Sequence, residues 1–160
     1  MPDALRIRPA TAADAQAIGA LVEAAYGHYV ERIGKRPAPM DEDYAEVVRR
    51  GHTWVAEDAG ALAGVLAGVL VLEPGADHLL IENVAVSPGW WGQGVGRRLL
   101  ELAEERAREA GLAELRLYTN ALMTENQAYY ARRGYRETGR QVVDGFDRVY
   151  FAKPAQPNAG

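Results

Sequence analysis

SPGWWGQGVGRRLL, Ser87 to Leu100, sets three alternating glycines, Gly92, Gly94 and Gly96, between the pair Trp90 and Trp91 and the pair Arg97 and Arg98. The stretch before it, His78 to Val86 (HLLIENVAV), reads as a strand. The stretch after it, Arg97 to Ala110 (RRLLELAEERAREA), reads as a helix. A glycine loop between a strand and a helix start has a definite physical capacity. The first N–H groups of a helix lack internal acceptors and carry partial positive charge. Glycines let the chain curl so that several N–H groups point at one anion, and phosphate or pyrophosphate is the natural guest. Arg97 and Arg98 agree, because a cation at a helix N-terminus is mildly unfavourable until an anion arrives.

The spacing narrows the choice of phosphate. Gly-x-Gly-x-Gly does not match the dinucleotide fingerprint Gly-x-Gly-x-x-Gly, and no Gly-Lys-Ser/Thr follows. A nicotinamide-binding oxidoreductase is therefore a poor match. The strands before the loop also read as antiparallel. His52 to Glu57, then Asp58–Gly60, then residues 62–72, then Glu73–Ala76, then His78 to Val86 form a meander of strands and tight turns.

Upstream, Leu5 to Arg8 is a short strand. Thr11 and Asp14 make a capping-box variant, and Ile18, Leu21, Val22 and Ala25 follow the helical period to about Tyr26. Residues 27–44, with Pro37 and Pro39, read as irregular, and a helix is expected over Asp41 to Arg50. In the helix after the loop, Leu99, Leu102, Ala103, Ala107 and Ala110 are expected on the inner face. Glu104 and Arg108 are expected as an outer i,i+4 pair, with Gly111 as the stop. Downstream come a strand Glu114 to Thr119, a helix Asn126 to Arg133, and a hairpin from Tyr135 to Val143 and Phe146 to Lys153 across Asp144-Gly145. The order β-α-α-β-β-β-α-β-α-β-β predicts a mixed α+β fold in one domain, with a central, mostly antiparallel sheet flanked by helices. One parallel crossover is expected between His78 and Thr119.

Composition bounds the function. At 160 residues, 48% hydrophobic and 25% charged, the chain fits a globular protein. A net charge of -4 argues against nucleic acid as the main partner. With no cysteine, thiolate nucleophiles and thiolate metal sites are excluded, and His28, His52 and His78 have no metal-ligand spacing, so no metal is expected. The N-terminal MPDALRIRPA lacks an apolar core of signal-peptide length, and the longest apolar run, 61–72, is too short to span a bilayer. The expectation is a cytoplasmic protein without a membrane partner, ending in a frayed tail over 154–160.

ENVAVSPGWWGQGVGRRLLELA, residues 82–103, resembles the acyl-CoA-binding motif of the Gcn5-related N-acetyltransferase (GNAT) family, Arg/Gln-x-x-Gly-x-Gly/Ala after a strand ending Val-x-Val and a proline. AYYARRGYRETGR, residues 128–140, is similar to the family's closing Leu-Tyr-x-x-x-Gly-Phe/Tyr pattern. The resemblance runs over about residues 4–153, taken as one N-acetyltransferase domain, and its element order agrees with that derived above. It implies acetyl-CoA as donor and an amine as acceptor. Backbone N–H groups over Gly92, Gln93, Gly94, Val95, Gly96 and Arg97 would hold the pyrophosphate, with Arg97 and then Arg98 helping. Val84, Ala85 and Val86 would pair with pantetheine, and an N–H near Ala85 or Val86 would receive the oxyanion. Tyr130 matches the tyrosine that protonates the leaving thiolate, with Tyr129 as packing. Glu82, sharing a strand face with Val84, is the candidate base, directly or through water.

Two departures stand out. Trp91 falls where the family has Arg or Gln, and packs either beside the cofactor or on the helix. Counting back from Tyr130, the family's asparagine position holds Met123 and its alanine position holds Asn126. Asn126 either contacts the cofactor or caps the helix. The acceptor site is expected under the first third of the chain, among Tyr26, Tyr29, Arg36, Met40 and Asp41–Asp43. The acidic run there either attracts a cationic amine or favours a helix start, and Arg36 suits a carboxylate. The acceptor is left open among small amines, amino acids and protein amines. A non-catalytic acyl-CoA sensor is the rival reading. Homodimers are common in the family, and nothing in this sequence fixes the oligomeric state.

Overall fold

The computed structural model describes residues 4–60 and 63–155. The chain divides into two compact units, Met1–Leu72 with Asn83–Glu101, and Glu73–Glu82 with Leu102–Gly160. Seven strands stand in the sheet order β1-β2-β3-β4-β5-β7-β6.

In the first unit, β1 (Leu5–Pro9) pairs antiparallel with β2 (Thr53–Asp58), and β2 pairs antiparallel with β3 (Leu66–Pro74) around a bulge at Ala56/Glu57. The expected start of the third strand at residue 62 lies outside the described residues. α1 (Ala15–Tyr26) follows a short 3-10 turn. The Thr11 N–H donates to Asp14 Oδ2 at 2.7 Å, so the expected cap forms. Asp14 also receives Arg8 at 2.8 Å, and that guanidinium holds its carboxyl down at about 2. Ile18, Leu21, Val22 and Ala25 are all buried, as their spacing predicts, against Val47, Val48, Val55 and Val69. Truncating Ile18 to alanine costs roughly 2–5 kcal/mol.

The segment expected to be irregular contains a helix, α2 (Tyr29–Ile33), one short turn ended by Gly34. α3 (Tyr44–Arg49) begins later than predicted because Asp43 caps it, accepting from the N–H groups of Ala45 and Glu46.

β4 (His78–Val86) has the predicted bounds and strict alternation, with every odd residue from Leu79 to Ala85 buried. In the second unit its ladder with β5 (Glu114–Asn120) is parallel, from His78–Glu114 to Ile81–Leu117, which is the expected crossover. β5 also pairs with β7 (Phe146–Pro154), and β7 with β6 (Arg136–Val143), both antiparallel. Asp144 and Gly145 have φ of 52° and 78°, the pattern of a type I′ turn.

The long helix, α4 (Val95–Glu109), starts two residues before the predicted Arg97. Its inner face is also corrected: Leu99, Leu100, Ala103 and Ala107 are buried, whereas Leu102 is half-buried and Ala110 exposed. Glu104 pairs with Lys153 at 3.2 Å rather than with Arg108, whose guanidinium reaches the Ala155 carbonyl. Ala155 is 1% exposed and donates its N–H to the Ala113 carbonyl, so order extends past the predicted start of the tail at Pro154. The remainder of that tail, 156–160, lies outside the described residues.

Candidate functional site

In the first unit, β4 delivers the chain into the glycine loop. A 3-10 turn over Pro88–Trp90 closes with the Trp90 N–H on the Ser87 carbonyl at 2.8 Å. Gly92 and Gly94 then take φ of 78° and 82°, a left-handed conformation that residues with a Cβ avoid. The first α-helical bond across the loop–helix junction runs from the Arg98 N–H to the Gly94 carbonyl, 3.1 Å. The N–H groups of Val95, Gly96 and Arg97 therefore stand ahead of the helical ladder with no intrahelical acceptor. Val95 is 1% exposed and anchors this turn, while Gly92, Gln93, Gly94 and Arg97 face solvent and Arg98 is half-buried.

Gly68 on β3 lets that turn lie close. A Cβ there would come within 2.9 Å of both Leu99 Cδ1 and Val95 Cγ1, and within 3.2 Å of the Ala85 carbonyl oxygen. The loop is thus a concave set of backbone donors at the head of a fifteen-residue helix, held on the sheet by a glycine contact. Such a set binds an oxyanion without help from side chains.

The side chains around the loop are committed elsewhere. The Trp91 indole donates to the Val86 carbonyl at 2.8 Å, lies edge-on to His28 with ring centres 5.6 Å apart, and remains 51% exposed. The Gln93 amide donates to the Gly89 carbonyl at 3.3 Å. Val84 and Val86 are half-buried on one face of β4, and Ala85 is buried on the other.

Asn83, missed by the sequence reasoning, is the buried polar residue of that strand. Its Oδ1 accepts from the Tyr26 hydroxyl at 2.8 Å, and its amide donates to the Tyr44 hydroxyl at 3.2 Å. A polar residue at an inward position of an alternating strand was the available signal. Of the expected acceptor residues, Tyr26 is therefore tied to Asn83, Tyr29 is buried, and Met40 is packed against the core. Arg36 is corrected as a carboxylate selector. Its guanidinium is filled by Glu23 at 3.0 and 2.9 Å, Asp41 at 2.8 Å and the Met40 carbonyl at 3.2 Å. The acidic run divides in the same way, Asp41 to Arg36 and Asp43 to the α3 cap.

In the second unit, Tyr130 lies on α5 (Thr124–Arg132), 8% exposed. Its ring meets Tyr129 and Tyr135 edge-on, with centres 5.6 and 5.7 Å away, and Phe151 at 6.3 Å. Tyr129 is half-buried rather than core, and Arg133 stacks on it at 3.5 Å. Tyr135 is 3% exposed, its hydroxyl has no hydrogen-bond partner, and burial pushes its pKa well above the usual phenol value.

α5 begins two residues earlier than predicted. Asn120 sets its start, receiving the Leu122 N–H on its side chain and the Met123 N–H on its carbonyl, both at 2.9 Å. Met123 takes the cap position, so Asn126 does not cap the helix. The Asn126 amide turns back to Thr119 Oγ1 at 3.4 Å and Met123 Sδ at 3.6 Å, which ties α5 to the end of β5. Glu82 is half-buried on β4, one residue past the last pair of the parallel ladder.

Known proteins bear on this geometry. The chain is 28% identical over 111 residues to N-acetyltransferase family 8 member 2 of Rattus norvegicus, an alignment covering 65% of this chain and 49% of that protein. The chain thus spans about half the length of the curated relatives it matches. Among solved structures it resembles nourseothricin acetyltransferase, with a TM-score of 0.73, 26% identity, and 96% and 99% of the two chains covered. It shares its fold with the PaiA N-acetyltransferase of Thermoplasma acidophilum, solved with coenzyme A, at a TM-score of 0.76 and 17% identity over 94% and 98% of the two chains. The family model described as the acetyltransferase (GNAT) family matches residues 18–135, a span holding the glycine loop, Glu82 and Tyr130. With that match over most of its length, the chain belongs to the GNAT acetyltransferase family.

Proposed function

We propose that the protein moves an acetyl group from acetyl-CoA directly to a primary amine. The observation that carries this reading is the donor cradle: two left-handed glycines and three unpartnered N–H groups at the start of α4, in a chain of this family. A pyrophosphate is the dianion such a cradle suits. Arg97, exposed beside it, adds a cation whose cost at the helix start the anion cancels.

The chemistry assigns three roles. Glu82 accepts a proton from the ammonium, directly or through a water, so that the neutral amine attacks the thioester carbon. A backbone N–H near Ala85 or Val86 stabilises the tetrahedral oxyanion, a contribution commonly worth about 3 kcal/mol. As the C–N bond holds and the C–S bond breaks, the Tyr130 hydroxyl gives its proton to the CoA thiolate. A phenol, with an ordinary pKa near 10, remains protonated at neutral pH and so serves as an acid. With no cysteine in the chain, a cysteinyl thioester is unavailable, and direct transfer to the amine is the economical route. The protein works without a metal, and we place it in the cytoplasm.

The test is incubation with acetyl-CoA and an amine panel, read by CoA release and by a 42 Da mass gain on the acceptor, the mass of an added acetyl group. Acetylated product with stoichiometric CoA is the expected result. Acetyl-CoA binding with no product from any amine would leave the sensor reading in its place.

A further inference from the structure

The β5 and β7 strands of the second unit bury one face and leave the other open, and β6 is exposed along nearly all its length. On β5, Leu115, Leu117 and Thr119 are buried, while Glu114, Arg116, Tyr118 and Asn120 line the opposite face. That face holds a groove of about 420 Å³ toward the Glu114 end of β5, bordered by Arg116, Gly139, Gln141 and Tyr150, and Arg148 stands beyond it at the Asn120 end. Gly139 stands opposite Tyr150 in register, and nothing lies within 4 Å of where its Cβ would be, so the floor stays clear.

Three arginines of this unit have carboxylate partners. Arg116 is paired with Glu114 at 2.5 Å, Arg140 with Glu137 at 3.2 Å, and Arg106 with Glu109 at 3.0 Å. Arg148 differs. It is half-buried, opposite Asn120 on β5 and Gln141 on β6, and its guanidinium lies 4.1 Å over the Tyr118 ring. Tyr150 supports that ring at 5.7 Å. Among the described residues no carboxylate lies within ion-pair distance of Arg148. Stacking holds the plane of a guanidinium and leaves its edge donors free as a fork, the geometry that matches a carboxylate.

The parallel register brings the candidate base onto the same face. The ladder ends with Ile81 level with Leu117, and the next residues, Glu82 on β4 and Tyr118 on β5, both take the half-buried face. Glu82 and Arg148, the latter level with Asn120 two residues further along, therefore stand two strands apart on one surface, about 12 Å at the usual spacings. One small molecule with an amine at one end and an anion at the other complements the pair. We propose that Arg148 is the specificity residue of the acceptor site, and that the acceptor is an amino carboxylic acid, its amine toward Glu82 and its carboxylate on Arg148. This rests on the acetyltransferase reading and narrows its acceptor.

The experiment compares L-phenylalanine and L-methionine with their carboxamides and aminophosphonate analogues, each as acceptor with acetyl-CoA. It is run on the wild type, Arg148→Gln and Arg148→Lys, after thermal unfolding has shown that the variants fold. The expected wild-type ratio of kcat/KM, acid over amide, is on the order of 10 to 100, the worth of a charge-assisted hydrogen bond. That ratio should collapse toward one in Arg148→Gln through KM, with Arg148→Lys between. A wild-type ratio near one, an unchanged ratio in Arg148→Gln, or preference for the phosphonates overturns the proposal. Calorimetric titration with L-phenylalanine and its amide separates the two readings. If none of these acceptors turns over, the amine panel decides the acetyltransferase reading. Selective binding of the acid that is lost in Arg148→Gln then still supports the carboxylate site, and equal binding of acid and amide removes it.

Discussion

The glycine loop of the first unit and the open sheet face of the second are built from different parts of the chain. The loop works through its backbone: Gly92 and Gly94 set its curve, and the N–H groups ahead of Arg98 supply its donors. The sheet face works through side chains, with Tyr118, Tyr150 and Arg148 stacked on strands whose backbone is used up in the ladders. A backbone site tolerates changes of side chain and fails when its dihedral angles are denied. A side-chain site behaves the other way round. Trp91 illustrates the first half of that rule, since the family's arginine or glutamine is absent there and the cradle geometry remains.

The sharpest way to break the contrast is Tyr130→Phe. The ring contacts with Tyr129, Tyr135 and Phe151 need no hydroxyl, so the fold and the affinity for acetyl-CoA should be kept. Turnover should fall by about 10²–10³-fold, the usual worth of a positioned acid. Stopped-flow CoA release beside equilibrium binding separates the two quantities. Turnover within twofold of wild type would remove Tyr130 from the chemistry.

Next in size is Gly94→Val. A β-branched residue at φ 82° costs on the order of 1–3 kcal/mol and pulls the neighbouring N–H groups out of line. Acetyl-CoA affinity should drop roughly 10- to 100-fold. Gln93→Ala, which removes only a side chain bonded to Gly89, should change it by less than about threefold. If Gln93→Ala proves the more damaging of the two, the loop is a side-chain site and the comparison fails.

The same division explains what the sequence disclosed. Glycine positions and a strict alternation carry backbone geometry directly, so β4 has its predicted bounds and the cradle lies where the alternating glycines put it. Periodicity also found the buried face of α1. Pairing between distant residues leaves no such mark. Arg36 reads as a free cation until Glu23, thirteen residues away, is seen to fill it, and Arg148 reads like any other arginine until the register leaves it without a carboxylate. Asn126 misled for a local reason: its type suits a cap, but Asn120 starts the helix first. A one-turn helix such as α2 lies below the length at which periodicity can be read.

Within the aromatic cluster, Tyr135→Phe tests a smaller effect with the opposite sign. The Tyr135 hydroxyl is buried with no partner, so removing it should stabilise the protein by about 1 kcal/mol, read as a raised urea midpoint at constant m. Turnover should be unchanged, which would separate the passive tyrosine from the acidic one. Destabilisation by Tyr135→Phe would mean that the hydroxyl serves the fold or the reaction after all.

The smallest expected effect lies back at the loop, where a side chain touches the backbone site. The Trp91 indole holds the Val86 carbonyl at 2.8 Å, and the residue is half exposed, so the bond is worth about 0.5–1 kcal/mol. Trp91→Phe should therefore shift acetyl-CoA affinity by no more than about threefold. Trp91→Arg places the family's usual residue beside the cradle and releases the carbonyl. Its affinity should rise by a few fold at low salt and lose that gain as salt is added, because an exposed guanidinium acts on phosphate through a screened charge. A gain that persists in high salt would point to a direct, water-excluded contact. No gain at either salt would mean that backbone donors already saturate the phosphate and that the tryptophan costs the site nothing.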